Sequence, residues 1–336
     1  MAMEFDLAFI WAGLIAFSVL TYVILDGFDL GLGILFPFAK SNQERDLMMN
    51  SVAPVWDGNE TWLVLGGGGL FAVFPLAYAV IMPALYVPIT VMLLALVFRG
   101  VSFEYRWRAQ RYKWVWDFTF FGGSLLAALC QGIALGALVQ GIEVEGRAYA
   151  GGWFDWLSPF SLLTGGAVAV GYALLGACWL IMKTEDDIHH HMRRLAKPLA
   201  IATLALIGVV SLWTPFLDPV YFSRWFNLPG SLWTFCVPAM MAALIWALFS
   251  GLSGPSDRQP FFAALGIFVV SFIGLGISFY PMMVPPSLTI WAVAAPDKSL
   301  GFALVGAIVL IPLILAYTAY AYWVFRGKLD PDNGYH

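Results

Sequence analysis

Two aspartates, Asp26 and Asp29, lie near the end of the first long apolar run of the sequence. Residues three apart on a helix share a face, so a helix there places both carboxylates side by side. Because burying charge in a membrane is costly, the pair is a candidate proton or ion site. The structural alternative is a helix end at the interface, where the carboxylates cap the helix or pair with an arginine. The neighbouring Gly27, Gly31 and Gly33 permit close helix packing.

A second pair of acids lies in the run Pro-Val-Trp-Asp-Gly-Asn-Glu-Thr-Trp at positions 54–62. Asp57 stands where a helix should restart after Pro54, and Glu60 three residues later completes the pattern of a capping box. The same run leads into a long apolar stretch, so Asp57 could instead pass protons into the membrane interior. The residue types alone leave both interpretations open.

Arg99 and Glu104 form a third group, at the end of the second apolar run. The basic residues that follow them are typical of a cytoplasmic loop. Arg99 and Glu104 stand closest to the apolar run, and they could pair with each other or form the cytoplasmic mouth of a polar path.

Histidine, the usual haem ligand in membrane bundles, is missing from the apolar runs. His189, His190, His191 and His336 all fall in a predicted loop or in the C-terminal tail. The three cysteines are far apart and show no metal-binding spacing, and the chain has no phosphate-binding loop or dinucleotide fingerprint. We therefore expect no catalytic residue, no metal site and no haem ligand in this chain.

The elements that must position these residues are membrane helices. The chain is 61% hydrophobic and only 11% charged, whereas a soluble domain carries about 25% charged residues. The net charge of −4 gives no basis for binding nucleic acid. A spanning helix needs roughly 20 apolar residues. Such runs predict eight transmembrane helices at Leu7–Phe36, Leu76–Phe98, Phe118–Gln140, Pro159–Met182, Pro198–Phe216, Leu232–Gly251, Phe261–Tyr280 and Leu300–Phe325.

The stretch before the second predicted span is too long for one helix. Residues 61–98 are nearly all apolar and contain four consecutive glycines and three prolines. We interpret 48–74 as a broken or re-entrant segment packed against protein, because irregular backbone at membrane depth must be satisfied by protein or water.

The predicted fold is an all-α polytopic membrane protein of two four-helix bundles, forming a single membrane domain over 1–336 with halves at 1–182 and 198–336. Most of the 17 lysines and arginines fall in one set of loops, which we assign to the cytoplasm. Eight spans then put both termini on the cytoplasmic side of a bacterial inner membrane.

The chain resembles subunit II of the cytochrome bd-type quinol oxidases, including the cyanide-insensitive branch. The resemblance rests on the runs at 26–31 and 54–62, on Phe98-Arg99-Gly100 with Phe103-Glu104-Tyr105-Arg106, and on 285–291. It covers essentially the whole chain, and the run at 54–62 is its most specific part.

The resemblance implies a complex that oxidises quinol and reduces oxygen to water. The three haems and the quinol site of this complex belong to a partner, subunit I. Two of the haems are b-type, and the haem at the oxygen site is d-type or b-type. A small single-span subunit and a structural quinone occur in some members. The resemblance assigns Asp57, Glu104 and Trp62 to a cytoplasmic proton pathway. It gives Asp26, Asp29, Trp56 and Arg99 a supporting role.

A secondary transporter is the competing function. Broken helices with acidic residues near the membrane midplane are typical of transporters. The sequence shows no clear inverted repeat, and the full-length resemblance favours the oxidase subunit.

Overall fold

The fold is a bundle of long helices with two small β-hairpins. The computed structural model describes residues 6–109, 111–228 and 231–329. The helices are α1 Leu7–Leu35, α2 Asn42–Asn50, α3 Trp56–Val73, α4 Pro75–Ala84, α5 Tyr86–Arg108, α6 Lys113–Gln140, α7 Pro159–Lys183, α8 Asp186–Trp213, α9 Pro219–Phe226, α10 Ser231–Thr234, α11 Cys236–Ser253, α12 Gln259–Phe279, α13 Ile290–Val293 and α14 Asp297–Val324. The hairpins pair β1 Val144–Glu145 with β2 Ala148–Tyr149, and β3 Met282–Val284 with β4 Leu288–Thr289.

Local signals set several helix starts. Asp6 caps α1 by accepting a 2.9 Å hydrogen bond from the Phe9 backbone N–H. At α7, Ser158 Oγ accepts from the Ser161 N–H (3.0 Å) and Ser161 Oγ accepts from the Ser158 N–H (2.9 Å), which is a reciprocal capping box. Pro159 occupies the first helical position, where no intrahelical donor is needed.

Eight helical segments in the described residues are long and apolar enough to cross a membrane, which confirms the predicted architecture. They are Leu7–Phe38, Tyr86–Arg108, Lys113–Gln140, Pro159–Lys183, Asp187–Phe216, Cys236–Ser253, Gln259–Phe279 and Asp297–Val324. Large apolar side chains cover much of their outer surface, as on α14, where Phe302 is 83% exposed. Such a surface requires lipid or another apolar protein around it.

The second spanning helix lies about ten residues later than predicted. The run 76–98 is divided at Leu85, whose dihedral angles (φ −110°, ψ 22°) are not helical. Pro88 lacks a backbone donor, so it belongs in the first turn of a helix, and it lies in the first turn of α5. The predicted loop starting at residue 99 is therefore wrong for 99–108, which are helical.

Most of the segment before this helix is α3, which is one continuous helix of 18 residues and not a broken or re-entrant stretch. The helix runs antiparallel to α1: Trp62 lies edge-on to Phe17 with 5.8 Å between ring centroids. Near its far end, the Val73 carbonyl accepts a 2.9 Å hydrogen bond from the Ala295 N–H. At 1.5 Å per residue α3 is about 27 Å long, so it crosses most of the bundle before ending at Phe74.

The two described ends of the chain lie at opposite ends of α14. Beside its start, Trp291 Nε1 donates to Asp6 Oδ2 (2.7 Å) and Trp11 Nε1 donates to the Leu300 carbonyl (3.0 Å). Beyond its other end, the Phe325 carbonyl accepts from Lys183 Nζ. The prediction that both termini share one side of the membrane is therefore wrong. That prediction treated the stretch from α3 to α5 as a single crossing. In the structure α3 and α5 run in opposite directions through the bundle, which adds a second crossing.

A charged network holds one end of the bundle together. We call the end that contains α2, the end of α5 and the start of α6 the basic end. The fully buried Arg106 pairs with Asp46 and, through Nε, with Asp117 Oδ1 at 2.5 Å. Lys113 Nζ lies 3.1 Å from Asp46 Oδ1. These pairs fix α2 against α5 and α6, and the sequence analysis missed them.

The residues after α14 are attached to the basic end by lysine contacts. Lys328 Nζ donates to the Thr184 carbonyl (2.8 Å) and to Asp257 Oδ2 (2.6 Å). His189 Nε2 lies 2.9 Å from Asp257 Oδ1. Burial alone would raise the pKa of Asp257, but the hydrogen bonds from Lys328 and His189 outweigh it and lower that pKa to about 2.

Replacing Asp257 by asparagine is expected to destabilise the protein at neutral pH and to matter less in acid. A carboxyl whose pKa is lowered on folding, here from 3.8 to about 2, contributes stability above its unfolded pKa and loses it as the pH falls through the folded pKa. Thermal unfolding in detergent at pH 7 and pH 3 measures this. An effect of Asp257→Asn that grows in acid would contradict the assignment.

One core connects the two halves of the sequence. Phe28 of α1 stacks on Trp179 of α7 with 4.3 Å between ring centroids, and Trp179 also packs against Phe261 of α12 at 5.3 Å. Helices from both halves thus share buried aromatic side chains. The division at 182 and 198 stays a prediction.

Candidate functional site

The main buried polar site surrounds the guanidinium of Arg99 on α5. Arg99 Nη1 lies 3.1 Å from Asp26 Oδ1 and 2.5 Å from Glu60 Oε1, and Nη2 lies 3.9 Å from Asp29 Oδ2. The side chains of Arg99, Asp26 and Asp29 are fully buried, whereas that of Glu60 is 23% exposed. Helical spacing on α1 brings both aspartates to one face, as predicted. We call these four residues the Arg99 cluster.

The Arg99 cluster contains more acid than base. Its ion pairs join three carboxyl groups to a single cation. Within the described residues, Oδ1 of Asp29 and Nε of Arg99 are buried without a hydrogen-bond partner, whereas Asp26 contacts Arg99 and Tyr22. Buried charges stabilise a fold only when they are paired and hydrogen-bonded. Such an unbalanced site is therefore a candidate for proton binding.

An amide and a phenol connect the cluster to α14. Asn59 Nδ2 donates a 2.7 Å hydrogen bond to Asp29 Oδ2, and the Tyr322 hydroxyl donates a 3.0 Å hydrogen bond to Asn59 Oδ1. Asn59 lies inside the sequence run at 54–62, but nothing in that run predicts a role for its amide. Tyr322 could not be identified from the sequence, because its partner Asn59 is 263 residues away.

A second polar chain lies one turn along α1 from Asp26. Gln131 Nε2 of α6 donates to the Tyr22 hydroxyl (2.7 Å), and the Tyr172 hydroxyl of α7 donates to Gln131 Oε1 (2.8 Å). The polar interior thus extends from α3 and α5 into the centre of the bundle. None of these three residues was predicted from the sequence.

The acids of the run at 54–62 occupy different environments. Asp57 is exposed in the first turn of α3. The residue that caps this helix is Val55, which makes no side-chain capping bond. Glu60 pairs with Arg99 instead, so the capping-box interpretation is wrong. Trp56 stacks on Phe103 with 4.7 Å between ring centroids and 5° between ring planes.

Trp62 and Glu104 lie apart from the charges of the cluster. Trp62 is fully buried, and its Nε1 has no hydrogen-bond partner in the described residues. Glu104 has a side chain that is 72% exposed and pairs at 3.7 Å with Arg108, one helical turn on. Glu104 neighbours Phe103, so it lies one residue from the ring that stacks on Trp56. No described ion pair or hydrogen bond joins Glu104 to Asp57.

The three histidines of the described residues lie together at the start of one helix, at the basic end. Helix α8 starts before Pro198, so His189, His190 and His191 belong to its first turns and not to a loop. His189 Nε2 is engaged by Asp257 at the basic end. His336 lies outside the described residues. No group of three or more potential metal ligands occurs among the residues that the structure describes.

Comparison with known proteins gives matches over nearly the full length. The family model for cytochrome bd terminal oxidase subunit II matches residues 7–325. The cytochrome bd-I ubiquinol oxidase subunit 2 of Escherichia coli (strain K12) is 31% identical, over 97% of this chain and 96% of the relative. The probable cytochrome oxidase subunit 2 of Haemophilus influenzae is 33% identical with the same coverage. A chain of the bd oxidase structure from Geobacillus thermodenitrificans shares the fold, with a TM-score of 0.73 at 19% identity over 96% of this chain and 99% of that chain.

Proposed function

The chain belongs to the cytochrome bd terminal oxidase subunit II family. We propose that it is the haem-free subunit of a quinol oxidase and that it supplies part of a proton path. Its relatives are subunits of an oxidoreductase complex, so its place is beside a haem-bearing subunit I in a bacterial inner membrane. The three haems and the quinol site belong to subunit I in this proposal. The position of His189, His190 and His191 in the first turns of α8, with His189 held by Asp257, supports it.

The basic end faces the cytoplasm in this proposal. Arg106, Lys113, Lys183 and Arg193 all contribute to contacts at that end. Cytoplasmic segments carry an excess of lysine and arginine. Residue 6 then lies on the outer side and residue 329 on the cytoplasmic side.

The proton path begins at Asp57 and continues through Glu60. Asp57 is exposed at the basic end, where it meets the solution. Glu60, one helical turn on, is the only member of the Arg99 cluster with exposed side-chain surface, and it touches the buried guanidinium at 2.5 Å. This position of Glu60, between solution and buried charge, is the observation that carries the proposal. A carboxyl there can take a proton from water and pass it inward.

Glu104 and Trp62 have subsidiary roles in the same proposal. The exposed Glu104 collects protons at the basic end. Bulk water and other carboxyl groups at that end can partly take over this role. The buried Trp62 closes the inner side of α3 against α1 and so keeps water from passing along the helix pair.

A quinone with a structural role is a further part of the proposal. The open groove between α1 and α12 is lined by apolar side chains, among them Phe17, Leu20, Phe272 and Tyr280, and has a volume of about 620 Å³. Its apolar lining suits an isoprenoid tail. The small single-span subunit stays a prediction.

Replacing Glu60 by glutamine is expected to slow oxygen reduction about tenfold or more, because a positioned proton-transfer group typically contributes about 10²–10⁴-fold. Asp57→Asn should slow it in the same direction, and Glu104→Gln should slow it less. Quinol-driven oxygen consumption per haem in purified complexes measures the rates. Asp187→Asn, which changes an exposed acid in the first turn of α8, is the control. Full turnover in both Glu60→Gln and Asp57→Asn would remove α3 from the path.

A further inference from the structure

We propose that Asp29 holds a resident proton and exchanges it with the solution through a water-sized cavity between α3 and α14, next to Asn59 and Tyr322. This site is distinct from the route through Asp57 and Glu60. The inference does not require that protons reach oxygen through this chain, so it stands or falls separately from the proposed function.

The charges around Asp29 favour its neutral form. Within the described residues, the ion pairs of Asp26, Asp29 and Glu60 all use the same cation, Arg99. Arg99 Nη1 lies close to Asp26 and Glu60, at 3.1 and 2.5 Å, whereas Asp29 is 3.9 Å from Nη2. With all three acids ionised the site would carry a net charge of −2, and only Glu60 would have any contact with solvent. One bound proton removes half of that excess negative charge. The acid farthest from the guanidinium loses the least electrostatic attraction when it becomes neutral.

The hydrogen bonds of Asp29 agree with a neutral acid. Its Oδ2 accepts from Asn59 Nδ2 at 2.7 Å, while its Oδ1 is buried without a partner in the described residues. An ionised carboxylate has about four lone-pair sites that require donors. A buried oxygen without a hydrogen-bond donor costs far more free energy when it belongs to an ionised carboxylate than when it belongs to a neutral carboxylic acid.

A small cavity gives this acid access to water. It encloses about 20 Å³ and is lined by residues that include Val55, Gly58, Asn59, Thr318 and Tyr322. A cavity of roughly 10–15 Å³ or more can hold one water when polar partners surround it. Asn59, Thr318 and Tyr322 supply those partners. The amide of Asn59 lines the cavity and donates to Asp29 Oδ2 at 2.7 Å, so a water in the cavity lies one side chain away from the acid.

Two residues control the opening. The Tyr322 hydroxyl orients the Asn59 amide by donating to its Oδ1 at 3.0 Å. Gly58 keeps the space free: a Cβ built at this position meets only the Tyr317 ring at 4.0 Å. An alanine therefore fits without strain and narrows the cavity. The other charged and titratable groups that face Asp29 are Asp26 on α1, Glu60 on α3 and Arg99 on α5.

Infrared difference spectroscopy of the assembled complex transferred from H₂O to D₂O tests the resident proton. We expect a carboxylic-acid C=O band that shifts on deuteration, disappears in Asp29→Asn and persists in Asp26→Asn. A band that persists unchanged in Asp29→Asn would overturn the proposal, as would a wild-type complex without such a band.

Exchange kinetics test the cavity, and they apply even if Asp29→Asn does not assemble. Gly58→Ala and Tyr322→Phe should each slow deuteration of this band severalfold. Gly67→Ala, on the same helix with nothing within 4 Å of its built Cβ, should leave the rate unchanged. Unchanged exchange in both Gly58→Ala and Tyr322→Phe would overturn the proposed access route. Because no turnover is involved, low oxidase activity does not affect either result.

Discussion

Replacement of Arg99 by leucine should prevent the haem-bearing complex from assembling. The substitution leaves Asp26 and Asp29 fully buried and Glu60 mostly buried without the cation that pairs with all three. Removing one partner of a buried ion pair typically costs about 3–5 kcal/mol. The complex is purified by capturing this chain. The measurements are the yield of that complex and its thermal unfolding midpoint.

Arg108→Leu is the matched control on the same helix. Arg108 has a side chain that is 82% exposed, and its pair with Glu104 spans one helical turn. Exposed pairs contribute about 0–1 kcal/mol, so this variant should assemble normally. Adding Asp26→Asn to Arg99→Leu should restore part of the yield, because it removes one uncompensated charge. An Arg99→Leu complex with the yield and midpoint of the wild type would contradict the structural role of the cluster.

Replacement of Gly31 by alanine should separate α1 from α7. A Cβ at this position would lie 1.7 Å from the carbonyl oxygen of Tyr172 and 2.4 Å from its carbonyl carbon. The facing Gly176 is equally constrained, since its Cβ would lie 2.5 Å from the Gly31 carbonyl carbon. Overpacking usually costs about 1–3 kcal/mol, and a clash with backbone belongs at or above the top of that range. Loss of assembled complex and a lower thermal midpoint are the expected results.

Gly13→Ala tests whether this effect depends on position. Gly13 lies on the same helix, and a Cβ built there meets nothing within 4 Å. Alanine has the higher helix propensity by roughly 1 kcal/mol, so this variant should be neutral or slightly more stable. Equal losses in Gly31→Ala and Gly13→Ala would show that the close crossing of α1 and α7 is not what limits stability.

The sequence was sufficient to predict the class of fold, because long apolar runs need no tertiary information. It also predicted that Asp26 and Asp29 share a face and that glycines on α1 permit close packing, since both follow from helical periodicity. The boundary at Leu85 was missed: hydropathy is continuous from 76 to 98, and the break depends on backbone angles. That error moved Arg99 from a helix into a loop.

The composition of the site could not be predicted from local pattern. Arg99 and Glu60 are 39 residues apart, and Tyr322 and Asn59 are 263 residues apart. Only the path of the chain brings them together. Glu60 was assigned to a cap because its spacing from Asp57 matches a capping box, and a tertiary ion pair with Arg99 replaced that local bond. The roles of Asp57, Glu104 and Trp62 in proton transfer stay predictions.

The most direct test of the central claim is a reduced-minus-oxidised visible spectrum. It is recorded on the complex purified by capturing this chain, and again on this chain after it has been separated from its partner in mild detergent. The account predicts haem bands in the complex, and none in the separated chain. Haem retained by the separated chain would contradict the haem-free assignment. A preparation with no haem at either stage would contradict the oxidase function and favour a transporter.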